Sequence, residues 1–498
     1  MGIGEYMLFK TVFSDEITVY WDKIGSGDES YEIYLNGELS GRSSKTHFTF
    51  LGLCAECAYS VEVKAYFGGD LIGVLSDKIV TKTEKRRIDV TCAPYFAVGD
   101  GVTVNTAAIQ SAIDDAGSER VVYFPKGVYL TGAIDLPSGA ELYISEGAVL
   151  QGTALPEDYL PKIHSRFEGG EMECYRSLIN IGRLDRLAGY TARDVVIRGR
   201  GAIFGGGAEL ARATIEKERT ALREYLAENE EYAKSCENAD TIPGRARGRL
   251  INISNAENVV ICGLELGFGA SWNVHFIYSK NVITYGCKIS SMGVWNGDGW
   301  DPDSSEDSVI FDTEFDTHDN AIAIKSGKNP EGNLIGRPTR GIRIFDCRGS
   351  RDIAIGSELS GGVEDVRIWD CSFTDSWGIN IKTTDKRGGF VRNVDIRDSQ
   401  LSSITLRTRI GFNNDGEGAG YLTEIRGLHF ENLVLGGAYL SGGEITRIPP
   451  IFIDGFDSAP VEEVSFKNVR VSAREDGELQ QIKCRCVRGL SLEGVLFD

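Results

Sequence analysis

The 498-residue sequence lacks several features that define common functional classes. It has no uninterrupted apolar run of about 18 residues, the length that a transmembrane helix requires. Basic residues are outnumbered, with 53 Lys and Arg against 73 Asp and Glu and a net charge of −20, so a nucleic-acid binder is disfavoured. An acidic protein also repels polyanions at long range, so an acidic substrate would need local cations in its site.

Cysteine is too sparse for a disulfide-rich or zinc-binding fold. The eleven cysteines include two close pairs, Cys54/Cys57 and Cys484/Cys486, and neither has a second Cys or His pair at ligand spacing. We therefore expect reduced thiols and no metal site. The segment MGIGEYMLFKTVFSDE has no basic region followed by a long apolar run, so we expect no signal peptide. A cytoplasmic protein follows, or a secreted one if a leader precedes residue 1.

The chain divides into two parts of different character. Residues 1–85 contain short alternating runs such as EITVYW, SYEIYLNG and YSVEVKAYF, which predict a small β-sandwich. This part resembles a fibronectin type III module, which implies a binding or spacer role. The resemblance rests on Trp21, Tyr31–Gly37, Leu53 and Tyr59. The charged segment TEKRR at 83–87 predicts a linker to a second domain over 88–498.

A nine-residue pattern recurs in the second part, with apolar residues at its second, fourth, seventh and ninth positions. Its copies start at residues 258, 281, 307, 341, 365, 393, 427, 463 and 489. The spacing varies from 23 to 36 residues, which indicates one structural rung with loops of variable length. Because the pattern alternates and a single rung cannot bury its own apolar face, we predict a right-handed parallel β-helix.

One segment interrupts this all-β pattern. Residues from about 207 to 240 are rich in Glu, Ala, Leu and Arg and predict a helical insertion across the outside of the solenoid. The insertion is either a cap or a wall that closes one end of a cleft.

Carboxylates recur on one predicted side of the solenoid. Asp298, Asp319 and Asp352 follow consecutive repeats, and Lys325 and Lys382 flank them. Equivalent positions of stacked rungs lie about 4.8 Å apart. Such a stripe suits glycoside hydrolysis, in which one carboxyl protonates the leaving oxygen and another activates water.

Four motifs, in order, resemble those of glycoside hydrolase family 28, the polygalacturonases and their relatives. NGDGWDPDSS resembles that family's Asn-Thr-Asp-Gly-x-Asp, and HDNAIAIKSG resembles Gly-Asp-Asp-Cys-x-Ala-x-Lys-Ser-Gly. SRDIAIGSELSGG resembles Gly-His-Gly with a following Gly-Ser, and WGINIKT resembles Arg-x-Lys. The resemblance runs from about residue 88 to the end. It implies an inverting hydrolase of α-galacturonosyl linkages that uses no metal and no cofactor.

The resemblance implies roles for individual residues. Asp319 matches the general acid, Asp298 matches one carboxylate of the water-activating pair, and Lys382 matches a lysine that binds a substrate carboxylate. His275 and His318 are further candidate substrate contacts because they adjoin this stripe, although His275 is equally well explained as a structural histidine.

Four positions depart from the family motifs. Asn320 stands where the family has the second Asp of the water-activating pair, and Asn380 stands where it has Arg. Arg351 and Asp352 stand where it has His-Gly. Because Asn cannot act as a base, Asp352 is a candidate replacement carboxylate. Arg351 is a candidate replacement for the missing cation.

Together these features predict a pectin-directed hydrolase that is exo-acting on oligosaccharides. Exo action is expected because the N-terminal module and the 207–240 insertion could close one end of the cleft. The alternatives are a hydrolase of rhamnogalacturonan or another pectic side chain, a calcium-dependent lyase, and a carbohydrate-binding protein without turnover. The sequence indicates neither a nucleic-acid nor a membrane partner, and it leaves the exact sugar and the oligomeric state open.

Overall fold

The chain forms two compact units, Met1–Arg87 and Ile88–Asp498. The computed structural model describes residues 7–25, 27–231, 247–411, 417–441, 444–472 and 481–497. Strands dominate both units, which confirms the predicted all-β class. No helix in the described part of the chain is both long and apolar enough to cross a membrane.

The N-terminal unit is a small β-sandwich of one three-stranded and one four-stranded antiparallel sheet. Its strands are Leu8–Val12, Glu16–Trp21, Glu29–Leu35, Glu38–Ser43, His47–Leu51, Ala58–Phe67 and Asp70–Val80. The buried rings of Trp21 and Tyr31 meet edge to face at 5.1 Å in its core. The resemblance of this unit to a fibronectin type III module stays a prediction.

The second unit is a right-handed parallel β-helix, as the repeat predicts. An 11-stranded parallel sheet forms one side of the solenoid. Its strands are Ile134–Leu136, Ile179–Gly182, Ile251–Ser254, Val274–Ile277, Trp300–Asp303, Ile322–Ile324, Ile353–Ile355, Ile379–Lys382, Ile404–Arg407, Ile451–Asp454 and Ile482–Arg485.

A 21-stranded sheet forms the rest of the solenoid wall. Its strands are Arg86–Asp89, Asp100–Val104, Arg120–Phe124, Gly127–Thr131, Glu141–Ile144, Ala148–Gly152, Ala192–Gly199, Ala202–Phe204, Ala256–Cys262, Glu265–Gly267, Lys280–Tyr285, Lys288–Ser290, Val309–Asp316, Thr339–Gly349, Val363–Trp369, Ser372–Phe373, Phe390–Leu401, Glu424–Leu435, Val461–Val471, Val487–Glu493 and Leu496–Phe497.

Two hairpins and a few short helices lie outside the two large sheets. The hairpins pair Ile163–Phe167 with Gly170–Cys174, and Ala438–Ser441 with Glu444–Arg447. The helices are Thr106–Ala116, Pro156–Tyr159 (a 3-10 turn), Gly207–Ala221, Arg223–Glu228 and Glu331–Ile335. The predicted insertion therefore begins with two helices, and its residues 232–240 lie outside the described residues.

Each copy of the nine-residue repeat turns at its first and sixth residues, where the backbone is left-handed. The φ angles are 60° and 73° at Asn258 and Gly263, and 54° and 60° at Asn281 and Gly286. Gly, Asn and Asp adopt this conformation at the lowest cost, which explains why they dominate these positions. The corner amides also stack, since Asn281 Nδ2 donates to Asn258 Oδ1 at 2.9 Å.

The recurring inward positions of the rungs form a continuous apolar core. Three cysteines lie there, and Cys287, Cys347 and Cys371 are all buried. Thr313 is the register partner of Cys347 and fills the rung between Cys287 and Cys347. These thiols therefore have a packing role.

Asn281→Val should destabilise the β-helix by about 2 kcal/mol, because a β-branched residue is strained at a positive φ. Asn281→Gly is the matched control: it loses the same amide hydrogen bond but relieves the backbone, so its loss should be less than half as large. Urea unfolding of both variants measures the difference. Equal losses would mean that the amide ladder, and not the backbone, determines the choice of residue.

Candidate active site

The register of the 11-stranded sheet sets the geometry of the site. Val274 pairs with Trp300, and Trp300 pairs with Ile322 on the next rung. Residues two positions before these partners therefore form a column along the solenoid, at about 4.8 Å per rung. In rung order the column contains Arg249, Trp272, Asp298, Asn320, Arg351 and Trp377.

Asp298 is the buried carboxyl of this column, with 3% of its surface exposed. Its Oδ2 accepts a hydrogen bond from Lys325 Nζ at 3.1 Å. Burial, and to a lesser degree the neighbouring Asp319, raise the pKa of Asp298 to about 7, while Lys325 and Lys382 act in the opposite direction. Near neutral pH the carboxyl of Asp298 can therefore either bind or release a proton.

Lys325 is held between two carboxylates. Its Nζ lies 3.1 Å from Asp298 Oδ2 and 3.1 Å from Glu358 Oε2, and it also lies 4.6 Å from the ring centroid of Trp272. Lys325 is only 5% exposed, so its ammonium group interacts with Asp298 and Glu358 and is not accessible to a ligand. Glu358 was not among the expected site residues.

Asp319 supplies a second carboxyl beside Asp298, and it is partly exposed. Its Oδ1 accepts the backbone N–H of Asn320 at 3.0 Å, and its carbonyl accepts the hydroxyl of Thr317 at 2.8 Å. The adjacent His318 is exposed, and its Nδ1 accepts the Gly293 N–H at 3.4 Å. The structure thus places a partly exposed carboxyl beside a buried one.

Asn320 and Asp352 form a linked pair on neighbouring rungs. Asn320 Nδ2 donates to Asp352 Oδ1 at 2.8 Å, and Asn320 Oδ1 accepts from Lys382 Nζ at 3.1 Å. The other carboxylate oxygen of Asp352 accepts from Asn380 Nδ2 at 2.8 Å. A carboxylate at position 320 would face Asp352 at hydrogen-bond distance, so the amide at 320 and the carboxylate at 352 suit each other.

Two arginines adjoin this pair. Arg351 adopts a positive φ of 80° and donates its Nε to the carbonyl of Thr317 at 3.1 Å. Arg407 donates to Asn380 Oδ1 at 3.0 Å and lies 4.6 Å from the ring centroid of Trp377. Arg407 was missed, although ITLRT repeats the pattern of INIKT one rung earlier.

His275 belongs to a buried charge cluster. It is fully buried, and burial lowers its pKa to about 4, so the ring is neutral. Its Nε2 lies 3.3 Å from Asp303 Oδ2, and Asp303 Oδ1 accepts from Arg166 at 2.6 Å. Burial alone would raise the pKa of Asp303, but Arg166 and His275 outweigh it and hold the pKa at about 2. This arrangement fits the structural interpretation of His275.

The hairpin Ile163–Phe167/Gly170–Cys174 covers the rungs that precede Asp298. Ser165 Oγ lies 3.2 Å from Asn252 Oδ1, and the Phe167 ring stacks on Trp272 with centroids 5.1 Å apart. This hairpin, which forms one wall of the cleft, was not predicted from the sequence. The sequence does contain a pattern that indicates a hairpin: in IHSRFEGGEMEC, apolar and polar residues alternate on both sides of a Gly-Gly turn.

The helical insertion contacts this hairpin from behind. Glu218 accepts hydrogen bonds from Lys162 Nζ at 2.7 Å and from the Tyr175 hydroxyl at 2.8 Å. The described part of the insertion is therefore attached to the two residues that flank the hairpin strands.

A partly exposed carboxyl beside a buried one, with cations on both sides, is the arrangement of a carbohydrate-cleaving hydrolase. The family model described as glycosyl hydrolases family 28 matches residues 185–490, and the chain belongs to this family of glycoside hydrolases. A second model, described as rhamnogalacturonase A/epimerase, pectate lyase-like, matches residues 93–152.

Two relatives match over most of the chain. A protein described as "Probable polygalacturonase" from Vitis vinifera is 27% identical over 419 residues, which cover 80% of this chain and 77% of that protein. The exo-poly-alpha-D-galacturonosidase of Dickeya chrysanthemi is 24% identical over 444 residues, which cover 79% and 73%.

Solved structures share the fold. The family 28 exopolygalacturonase of Yersinia enterocolitica has a TM-score of 0.84 at 22% identity, covering 100% of this chain and 96% of that one. A hyperthermoactive exopolygalacturonase from Thermotoga maritima has a TM-score of 0.65 at 24% identity, covering 84% and 93%.

Asp303→Asn should destabilise the protein by about 3–5 kcal/mol at pH 7, because the buried Arg166 loses the nearer of its two carboxylates, and Glu171 Oε1 lies farther away at 3.4 Å. The native pKa of about 2 lies below the ordinary value of 3.8, so the contribution is complete above about pH 4 and is lost as pH falls through 2. Urea unfolding of the variant and the wild type measures the loss, with the exposed Asp385→Asn as control. A loss no larger than that of the control would contradict a structural role for the pair.

Proposed function

We propose that this protein is an exo-acting hydrolase that releases galacturonic acid from pectic oligosaccharides with inversion of configuration. The observation that carries the proposal is the juxtaposition of a partly exposed Asp319 with a buried Asp298 in a cation-flanked column. The names of the two relatives, a polygalacturonase and an exo-poly-alpha-D-galacturonosidase, support the same substrate class.

In this mechanism Asp319 donates a proton to the leaving glycosidic oxygen. Asp298 removes a proton from the water that attacks the anomeric carbon. It must be ionised to do so, and with a pKa of about 7 it is mainly ionised only above neutral pH. Lys325 favours the ionised form because its Nζ lies 3.1 Å from the carboxylate.

The preference for an acidic sugar has a local electrostatic basis. The protein carries a net charge of −20, so its overall field opposes the approach of a galacturonide. Arg351 and Lys382 lie on the rungs that follow Asp298, and both are partly exposed. These cations offer a substrate carboxylate the attraction that the rest of the surface lacks.

Exo action is supported by the hairpin over the rungs before Asp298. Phe167 stacks on Trp272, one rung from Asp298, and the hairpin residue Arg166 binds Asp303. A chain that extended past this point would have to displace the hairpin. We therefore propose that the terminal sugar stops here and that the rest of the substrate extends toward the rungs of Lys382.

A second candidate is a hydrolase of rhamnogalacturonan. It is favoured by the match of residues 93–152 to the model described as rhamnogalacturonase A/epimerase, pectate lyase-like. That match covers only residues 93–152, which precede the site in the sequence. Rhamnogalacturonan therefore ranks below a galacturonide as the proposed substrate.

Incubation with defined oligogalacturonides should release galacturonic acid one unit at a time, with slow loss of viscosity on polymer. Asp319→Asn should lower kcat by about 10²–10⁴-fold because it removes the carboxyl to which this mechanism assigns protonation of the leaving oxygen. Mass spectrometry of the products over time measures both effects, with rhamnogalacturonan fragments as parallel substrates.

Several outcomes of this assay would be decisive. Rapid loss of viscosity with a ladder of mid-length products would exclude exo action. Turnover of rhamnogalacturonan fragments alone would select the second candidate. Tight binding of oligogalacturonides without product would identify a carbohydrate-binding protein that has lost catalysis.

The pairing of Asn320 with Asp352 predicts a reciprocal effect of substitution. Asp352→Asn should lower kcat at least about tenfold, because it removes the acceptor that orients Asn320 and Asn380. Asn320→Asp should also lower activity, since two carboxylates would then face each other. The double variant Asn320→Asp/Asp352→Asn restores one carboxylate and one amide and should recover part of the activity.

Steady-state kinetics of the three variants on one oligogalacturonide measures this coupling. A kcat of Asp352→Asn near that of the wild type would exclude any role for Asp352 in catalysis or positioning. Additive losses in the double variant would show that positions 320 and 352 act independently.

A further inference from the structure

Lys325 carries one positive charge for two carboxylates. Its Nζ lies 3.1 Å from Asp298 Oδ2 and 3.1 Å from Glu358 Oε2, and the lysine side chain is 6% exposed. The side chains of Asp298 and Glu358 are 4% and 14% exposed, so water screens these two contacts only weakly. The ammonium group is therefore shared between the proposed base and a second carboxylate.

The loop that carries Glu358 is fixed beside Lys325 by hydrogen bonds to its backbone. The Ser326 N–H, next to Lys325 in the chain, donates to the Glu358 carbonyl at 2.6 Å. The buried guanidinium of Arg387 donates its Nε to the Ser357 carbonyl at 2.7 Å. These bonds hold the backbone of Glu358 in place, so its carboxylate stays within reach of the lysine.

Glu358 keeps its charge and therefore competes continuously for Lys325. Burial raises the pKa of Glu358, but Lys325 and Arg387 outweigh burial and the nearby Asp303, so the pKa lies below its ordinary value. A carboxylate that stays ionised keeps an ammonium group 3.1 Å away engaged throughout the neutral pH range. Only part of the field of Lys325 therefore acts on Asp298.

A third carboxyl, that of Asp301, belongs to the same cluster. It is fully buried, and neither of its oxygens accepts a hydrogen bond from the described residues. Burial, followed by the neighbouring Asp298, raises the pKa of Asp301 well above its ordinary value, while Lys325 acts against them. Asp301 is therefore a neutral acid, and the charge balance of the cluster rests on Lys325, Asp298 and Glu358.

Two further charges face Asp298 from the neighbouring rungs. Asp319 raises the pKa of Asp298 and Lys382 lowers it, so their effects oppose each other. Both residues have proposed roles in the reaction or in substrate binding. The charge on Glu358, by contrast, can be removed without changing a side chain that has such a role.

We propose that Glu358 is a positioning residue that acts through Lys325 to keep Asp298 a stronger base. By engaging the ammonium group, Glu358 prevents Lys325 from stabilising the Asp298 carboxylate fully. A less stabilised carboxylate has a greater affinity for the proton of the attacking water. The inference rests on the proposed function and deepens it.

Glu358→Gln should move the acidic limb of the pH profile of kcat/KM on trigalacturonate to lower pH by about one pH unit, because Lys325 then acts on Asp298 alone. The same variant should lower the plateau of kcat at high pH about threefold to tenfold, because Asp298 becomes a weaker base. A merely structural defect would lower activity without moving the acidic limb.

Four further variants test the route of the effect. Lys325→Met should move the acidic limb to higher pH, because Asp298 loses its nearest cation, and in that background Glu358→Gln should have a much smaller effect. Glu358→Asp keeps the charge and should restore most of the wild-type profile. Glu141→Gln breaks a comparable ion pair on the 21-stranded sheet, in which Arg198 Nε lies 2.8 Å from Glu141, and should leave the profile unchanged.

Carbon-13 NMR of the carboxyl groups of Asp-labelled protein gives a second measurement that needs no substrate, with the Asp298 signal assigned by its loss in Asp298→Asn. If the wild type hydrolyses trigalacturonate and Glu358→Gln leaves the acidic limb in place, the function stands and Glu358 has no such role. If the wild type hydrolyses no galacturonide, the proposed function falls, and the NMR titration decides alone: a lower midpoint for Asp298 in Glu358→Gln would support the coupling, and an equal midpoint would overturn it. Thermal unfolding of each variant separates a change in protonation from misfolding.

Discussion

The parallel register between successive rungs is the constraint on which the site depends. Backbone hydrogen bonds stack each short strand on the next, and side chains far apart in sequence become neighbours about 4.8 Å apart. Asp298 and Asn320 are separated by 22 positions, yet the Gly299 N–H donates to the Asn320 carbonyl at 3.0 Å. The corners at the left-handed Asn, Asp and Gly positions keep this register while the loops between them vary in length.

The positive side chains of the site oppose the overall negative charge of the protein. Within a chain of net charge −20, the column holds Arg249 and Arg351, and Lys325, Lys382 and Arg407 flank it. Some of these cations are already bound to carboxylates, as Lys325 is to Asp298 and Glu358. Arg351 donates to the carbonyl of Thr317, and Lys382 donates to the side-chain oxygen of Asn320.

Much of this arrangement could be predicted from the sequence because it repeats. The apolar pattern predicted the β-helix, and the four motifs predicted that Asp298, Asp319, Asn320 and Asp352 would converge. Asp301 and Asp303 lie in the strand Trp300–Asp303 of the 11-stranded sheet. There Asp303 binds Arg166, which comes from a hairpin far away in the sequence. The sequence around Asp303 could not predict this partner, because 137 positions separate the two residues.

The features that sequence analysis missed are those that depart from the repeat. The hairpin at Ile163–Cys174 occurs once and is not part of the repeat. Only its contacts with Trp272 and Asp303 show that it covers the cleft. Burial could not be predicted either. His275 and Lys325 have the chemistry of substrate contacts, but in the folded chain neutral His275 lies at hydrogen-bond distance from Asp303 and Lys325 forms an ion pair with Asp298. Arg407 shows the converse, an unremarked residue that the register brings beside the substituted motif position.

The central claim is that Asp298 and Asp319 carry out a single-displacement hydrolysis. Proton NMR of the sugar released from an α-linked oligogalacturonide in the first minutes of reaction tests it most directly. In a single displacement the β-anomer appears first and then equilibrates with the α-anomer, because water attacks the face opposite to the leaving group. Initial release of the α-anomer would contradict it, since retention requires a covalent intermediate and different roles for the two carboxyls.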